Sequence, residues 1–518
     1  MLFRSSTPLL AVLVCEGQRA RLPKGVKVPQ GFLAGFEGKR RTQTSTWAVK
    51  GPAQRVVLLG LGPAGDVDAE ELRRSGAAAS HHARGEKVSK GTLWVHPKVS
   101  SLAGGCAETG LALAEGLMMG SYQYTAGKGK APKEVCRRFD LLGGDAPFRK
   151  GAKRGAHLAA ANMYTRDLQN GAGNQVTPRV LVAEARKLAK RSTRISVKII
   201  DEKEMKRLGM GLLLSVSQGS SLPAYLIHLT YKPRAKKPKG RVCFVGKGLT
   251  FDAGGLSIKP SSKMDEMRYD MSGGAAVLGA FHALGDLDVA QEVHGLVPAS
   301  ENVINGVATK PGDIHRAMNG KTVEVNNTDA EGRLILADAL CYAEKKIRPD
   351  TIIDLATLTG AVIVGLGHEH SAIYPTTDKL RDELLAAGEA VGEACWPLPL
   401  TDLHKDAMLG KSADLANISS PAVGAGSITG AGFLSHFVSP DTEWSHMDIA
   451  GTAWNTAARG WVGGALGSGV GAPPLMDYPR RRQSTIIPGR CPPPGQPERR
   501  AAGTSVALQA RPVTRQRQ

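Results

Sequence analysis

The stretch from Val245 to Arg333 constrains this chain more than any other. It opens on Gly246-Lys247-Gly248-Leu249-Thr250-Phe251-Asp252-Ala253-Gly254-Gly255-Leu256-Ser257-Ile258-Lys259-Pro260. It passes through Met267-Arg268-Tyr269-Asp270 and closes on Asn327-Thr328-Asp329-Ala330-Glu331-Gly332-Arg333. Four carboxylates (Asp252, Asp270, Asp329, Glu331) cannot be buried near one another without cations, because mutual repulsion would keep some of them protonated. Two divalent metals resolve that conflict. Asp329 and Glu331 are two apart, so in an extended segment both side chains point to one face. Asp252 lies in a glycine-rich turn, where the backbone can approach a metal closely and one carboxylate can bridge two ions. No His or Cys belongs to the set, which favours oxygen-seeking Mg²⁺ or Mn²⁺, with Zn²⁺ also admissible. Lys247 can serve as an amine ligand once a neighbouring cation drives its proton off. Lys259 stays charged and suits a polarised carbonyl or an oxyanion. Arg333 offers a fork for a small anion or for the reacting group. A solvated glycine-rich loop explains any one of these seven residues, but not all seven together. The pattern reads as a two-metal hydrolytic site.

The rest of the chain reads as its scaffold. At 518 residues two domains are expected. Residues 8–15 and 55–61 are short apolar runs of buried-strand type, with helical patterns at Asp68–Arg74 and Leu111–Met118. Thr177-Pro178 reads as the start of a helix with Val180, Leu181, Ala185 and Leu188 as its apolar stripe. Strands are expected at 195–200, 224–229, 242–245 and 351–355, and helices at 273–284 and 337–346. The fold class is therefore α/β, a small N-terminal domain (1–142) joined by a linker and connecting helix (143–170) to a larger catalytic domain (171–472). Gly60-Leu61-Gly62-Pro63-Ala64-Gly65 matches a dinucleotide-binding pattern, but Pro63 removes an amide and no acidic partner follows, so it reads as a strand-to-helix turn. From 473 to 518, proline pairs and arginine runs predict a basic, disordered tail.

The formal charge of +20 invites a nucleic-acid partner, but the segment from Arg480 onward alone holds +8 of it, and solubility plus a basic tail is the favoured reading. No run approaches the ~18 apolar residues of a membrane span. Seven scattered cysteines, none in a CxxC pair, predict a reducing compartment and hence the cytoplasm. His368-Glu369-His370 lacks the spacing of a zinc-peptidase helix and reads as a loop.

With Asn-Thr-Asp-Ala-Glu-Gly-Arg-Leu at 327–334 and the block from Gly246 to Pro260, the chain resembles the leucyl aminopeptidases (cytosol aminopeptidases), in their bacterial form. The resemblance runs from about residue 160 to 465 and more weakly through the N-terminal domain. It implies an exopeptidase that removes leucine-like or other apolar N-terminal residues from peptides by means of a two-metal-activated water. Lys247, Asp252, Asp270, Asp329 and Glu331 match the family's metal ligands, for Mn²⁺ or Zn²⁺ with Mg²⁺ as a third candidate. Lys259 and Arg333 match its catalytic positions, Arg333 holding a bicarbonate anion. Met267, Asn327, Thr357, Leu358 and Gly360 match the lining of the substrate pocket. A homohexamer is implied as well. After about Gly464 the chain leaves the family's pattern, and an impaired homologue with a DNA-binding or other non-peptidase role is the alternative.

Overall fold

The computed structural model of the chain describes residues 6–128, 136, 138–456, 461–462, 466–482 and 506–509. Contacts divide it into two compact units: Met1–Met163 with Arg459–Gly463 and Thr485–Gln518, and Tyr164–Ala458 with Gly464–Ser484.

The first unit is built on strands β1 (Thr7–Cys15), β2 (Gln43–Trp47), β3 (Ala53–Gly62), β4 (Lys90–Trp94) and β5 (Arg138–Leu142). Its apolar run makes β1 a central strand, paired in parallel with β3 on one side and β4 on the other. Leu9 to Val14 are all buried, as befits a strand covered on both faces. The helix Ala69–Gly85 extends well beyond the expected segment. Asp68 caps it by accepting from the Glu71 amide at 2.7 Å. Gly116 of the helix Cys106–Ser121 lets the two helices touch at the backbone, since a Cβ there would meet the Arg73 carbonyl oxygen at 2.0 Å. The Gly60 and Gly62 amides donate to the carbonyls of Thr42 (2.8 Å) and Gly38 (3.0 Å). They are not free for a pyrophosphate, in keeping with the turn reading.

The helix Ala146–Asn170 follows, and the division between the units falls within it, after Met163. The second unit carries β6 (Ile195–Asp201), β7 (Tyr225–Tyr231), β8 (Arg241–Gly246), β9 (Gly248–Asp252), β10 (Glu292–Asn302), β11 (Asp313–Arg316), β12 (Thr322–Val325), β13 (Thr351–Ala356), β14 (Ser371–Pro375), β15 (Cys395–Pro397), β16 (Leu415–Ala416) and β17 (Glu443–Asp448). Its main sheet is mixed, in the order β15-β14-β17-β13-β8-β10-β7-β6, with β9 beside β10. The core of the sheet is parallel: β8 pairs in parallel with β10 and β13, and β13 with β17. Ile352, Val245 and Leu296 of these strands pack against Leu334, Ile335 and Leu340 of the helix Gly332–Tyr342 in one apolar cluster. Parallel strands beginning together also end together. Lys247, Asn302, Thr357 and Asp448 therefore gather at one carboxyl edge, where ligand sites of such sheets form.

At the C-terminal end the structure differs from the expectation. Ala472–Arg481 is a helix, with Pro473 and Pro474 in its first turn, where a missing amide costs nothing. Leu475, Met476 and Tyr478 are buried, and Arg482 bonds to Glu383 and Thr351. A last strand, β18 (Val506–Gln509), pairs antiparallel with β5. Residues 483–505 and 510–518 of the expected tail lie outside the described residues.

Candidate metal centre

Asp252 ends β9, directly opposite Asn302 of β10 in the register. Its Oδ1 accepts from Asn302 Nδ2 and from the Gly254 amide, each at 2.8 Å. Gly254 holds φ +89°, and a Cβ there would meet Asp329 Oδ1 at 2.8 Å, so only glycine lets this loop close on the cluster. Asp329 and Glu331 reach the site by a route other than the extended segment expected. Asn327 to Ala330 form a turn, with the Ala330 amide donating to the Asn327 carbonyl, and Glu331 immediately precedes the helix Gly332–Tyr342. One carboxylate oxygen each from Asp252, Asp329 and Glu331 falls within a 4.8 Å group, a spacing that suits shared metal ions.

Asp270 joins this group through Lys247. Lys247 Nζ lies 2.8 Å from Asp270 Oδ2 and 2.8 Å from Glu331 Oε1, and donates to the Thr357 carbonyl at 3.1 Å. Lys259 Nζ lies 2.7 Å from Asp252 Oδ2 and 2.6 Å from Asp329 Oδ1. Burial works against the Lys247 ammonium, but Asp270, Glu331 and Asp252 outweigh it and hold its pKa above the ordinary lysine value. Lys259 is raised in the same way, burial being outweighed by Asp252 and Glu331. Burial first, and the Asp252 charge beside it, push Glu331 and Asp329 above the usual carboxylate range. Burial also raises Asp270, against the pull of Lys247. Two ammonium groups among four carboxylates leave two negative charges unmatched within this cluster. The buried Glu331 Oε2 has no hydrogen-bond donor among the described residues. Such a donor set fits divalent cations.

Arg333 stands beside this group on the first turn of its helix. Its Nη1 donates to the Asn417 carbonyl at 2.8 Å, while its buried Nε has no acceptor among the described residues. Burial lowers its pKa to about 10. Of the expected substrate residues, Met267 and Leu358 are half-buried and Gly360 is exposed. Asn327 and Thr357 are engaged inside the loops: Asn327 Oδ1 accepts from the Asp329 amide at 2.8 Å, and Thr357 Oγ1 donates to Asp270 Oδ1 at 2.7 Å.

Sequence reasoning missed three supporting residues. Asn302 ties Asp252 to the Thr328 carbonyl. Asn417 bonds the Asn326 and Asn327 amides and the Asn327 and Ala330 carbonyls. Asp448 accepts from the Leu358 amide (3.1 Å), Thr359 Oγ1 (2.6 Å) and Ser427 Oγ (2.8 Å). His368 is bound to the Gly451 carbonyl and lies in a turn, as expected.

Comparison with known proteins agrees with this geometry. Residues 163–473 match the catalytic domain of the cytosol aminopeptidase family, and residues 33–131 match its N-terminal domain. A Bordetella petrii protein named "Probable cytosol aminopeptidase" is 41% identical over 468 residues, covering 87% of this chain and 90% of that protein. One of the same name from Nitrosococcus oceani is 43% identical, covering 85% and 86%. Among solved structures, the bottromycin maturation enzyme BotP in complex with Mn matches with a TM-score of 0.81 at 30% identity, covering 92% of this chain and all of that one. A mutant tomato leucine aminopeptidase matches with a TM-score of 0.80 at 33% identity, covering 93% and 95%. The chain is a member of the cytosol aminopeptidase family, a metal-dependent peptidase whose two family domains and acidic, divalent-metal-binding cluster are all present.

Proposed function

We propose that the chain removes apolar, leucine-like residues from peptide N-termini at a centre of two divalent cations, Mn²⁺ or Zn²⁺ before Mg²⁺, held by Lys247, Asp252, Asp270, Asp329 and Glu331. The observation that carries this reading is the convergence of Asp252, Asp329 and Glu331 oxygens within 4.8 Å. Such a pair supplies, when bound, Lewis acidity toward water and toward the scissile carbonyl. Asp252 and Asp329 hold the Lys259 ammonium at the edge of the cluster, where it meets the charge that develops on the carbonyl oxygen. Arg333 offers its unpaired Nε–H to a small anion, bicarbonate in this reading, and so fixes where a proton-accepting oxygen stands. Met267, Asn327, Thr357, Leu358 and Gly360 border the amine and side chain of the substrate. Asp270 and Thr357 form one bonded unit, so metal and substrate positions are coupled.

A homohexamer belongs to the same proposal, supported by family membership and by apolar surface left on the second unit at Val364, Trp396 and Leu403. So does a cytoplasmic location, supported by the relatives' name. No helix among the described residues is long and apolar enough to cross a membrane. The proposal is tested by comparing leucyl-4-nitroanilide with its N-acetyl derivative and with glutamyl- and lysyl-4-nitroanilide. Cleavage of the leucyl compound alone supports it; equal cleavage of the acetylated compound contradicts an aminopeptidase.

A further inference from the structure

A cavity of about 270 Å³ opens in the first unit, lined by Leu13, Val14, Cys15, the loop Gly17–Arg21, and His96, Lys98 and Val99. Its place in the topology is specific. From β1 the chain goes to β3 on one side, then returns across to β4 on the other. β1 and β4 are therefore the neighbours at which the strand order reverses, and the cavity lies at their carboxyl ends. In open α/β sheets that crevice is where ligands bind.

The lining has one sign of charge. Arg19, Arg21, Lys98 and His96 face the cavity, and no carboxylate lines it. Among the described residues Arg19, Arg21 and Lys98 have no ion-pair partner, whereas Arg40 and Arg41 of the same unit pair with Asp66 and Glu71. Glu37 is spent on Lys39, and exposed Glu16 stands outside the lining. His96 Nδ1 accepts from the Lys98 amide at 3.2 Å, so the neutral ring carries its proton on Nε2 and is a donor there. Two guanidinium forks, an ammonium and an imidazole N–H around one small space match the tetrahedral oxygens and double charge of a phosphate monoester. Leu13 and Val14 at the end of β1 and Val99 in the turn after β4 are buried and apolar and suit the carbon skeleton of a ligand. The volume falls just under the ~300 Å³ at which ligand pockets usually begin, enough for a compact body and too little for a dinucleotide.

We propose that this cavity is a binding site for a small phosphorylated metabolite, its phosphate held by Arg19, Arg21, His96 and Lys98. The phosphate is held by side chains, since the glycine-rich end of β3 has already spent its Gly60 and Gly62 amides. None of the four belongs to the peptidase centre, so the site is independent of the hydrolytic reading.

The test is calorimetric titration of the metal-loaded full chain with ribose 5-phosphate, ribose and citrate. It is repeated on the Arg19→Ala/Arg21→Ala double variant and on Lys98→Ala. The expected result is saturable binding of ribose 5-phosphate, none of ribose, and a loss of roughly tenfold for each cation removed. Turnover of a leucyl amide without added ligand stays at the parent level in the variants, which also reports their folding. Lys98 is exposed, so its variant gives the same reading if the double variant melts early. Three results overturn the proposal: no saturable binding, binding unchanged in the variants (which assigns the phosphate to the metal centre or Arg333), or citrate bound as tightly as the phosphate.

Discussion

Lys247 Nζ stands 2.8 Å from Asp270 and 2.8 Å from Glu331, so one buried side chain bridges carboxylates that lie 61 positions apart in the chain. The next helix leaves room for it only because residue 332 is glycine. A Cβ on Gly332 would come within 2.6 Å of Lys247 Nζ and 2.7 Å of its Cε. Gly332→Ala is expected to leave the fold intact while displacing the ammonium. Turnover should fall about a hundredfold, as a shift near 1 Å in a reacting group does. Kinetics together with a thermal melt check this, and parent-level turnover would mean that Lys247 has no fixed place in the reaction.

Asp448 holds the segment after β13 through Leu358 and Thr359, and ties it to Ser427 of the helix Gly426–Ser435. Asp448→Ala leaves the buried Ser427 hydroxyl and the half-buried Leu358 and Thr359 donors unpaired, at about 1–3 kcal/mol for each that finds no water. The melting temperature should drop and KM for a leucyl amide should rise. Unchanged KM would separate this loop from the substrate.

The pH dependence of stability should carry a histidine signature from the sheet. His228 of β7 bonds His294 of β10 at 2.9 Å, and Tyr342, Lys198, Glu292 and Arg241 surround the pair. Burial, then His294, lowers His228 to about 4, below its unfolded value of 6.5. The unfolded chain therefore binds the proton first on acidification. Stability from this group is full above pH 6.5 and is lost as pH falls from there toward 4, by at most about 1.4 kcal/mol per unit. Urea unfolding between pH 7.5 and 4.5 should show a shallower slope in His228→Gln than in the parent. Equal slopes would rule His228 out as the cause.

The helix Ala472–Arg481 should contribute to stability despite its three prolines. Tyr478 is fully buried, Gly471 donates to Glu393 at 2.7 Å, and Arg482 reaches Glu383 at 2.7 Å. Tyr478→Ala should cost about 3–5 kcal/mol, as other large-to-small aromatic changes in cores do. A melting temperature equal to that of the parent would show that this segment is not docked.

What was legible in the sequence follows from how the contacts are made. Lys247, Asp252 and Lys259 lie within thirteen residues, and Asp329, Glu331 and Arg333 within five, so spacing alone marked them. Asn302, Asn417 and Asp448 reach the same site through strand register and loop packing, which no local pattern encodes. The alternation of apolar runs gave the strands and the α/β class, because buried parallel strands are nearly continuous apolar segments. The C-terminal helix was hidden from a compositional reading, because the pair Pro473 and Pro474 marks a tail by composition yet sits in the first turn of a helix, where proline is tolerated.

The most direct test of the two-metal centre counts cations and turnover in one preparation. Metal-stripped protein is titrated with Mn²⁺ by calorimetry while leucine release from leucyl-4-nitroanilide is followed, beside Asp329→Ala and Lys259→Ala. The expected result is two cations bound per chain, with turnover rising as they fill. Asp329→Ala should lose a cation and its activity, while Lys259→Ala should keep both cations and lose activity. Turnover by the stripped protein, or full activity in Asp329→Ala, would contradict the account.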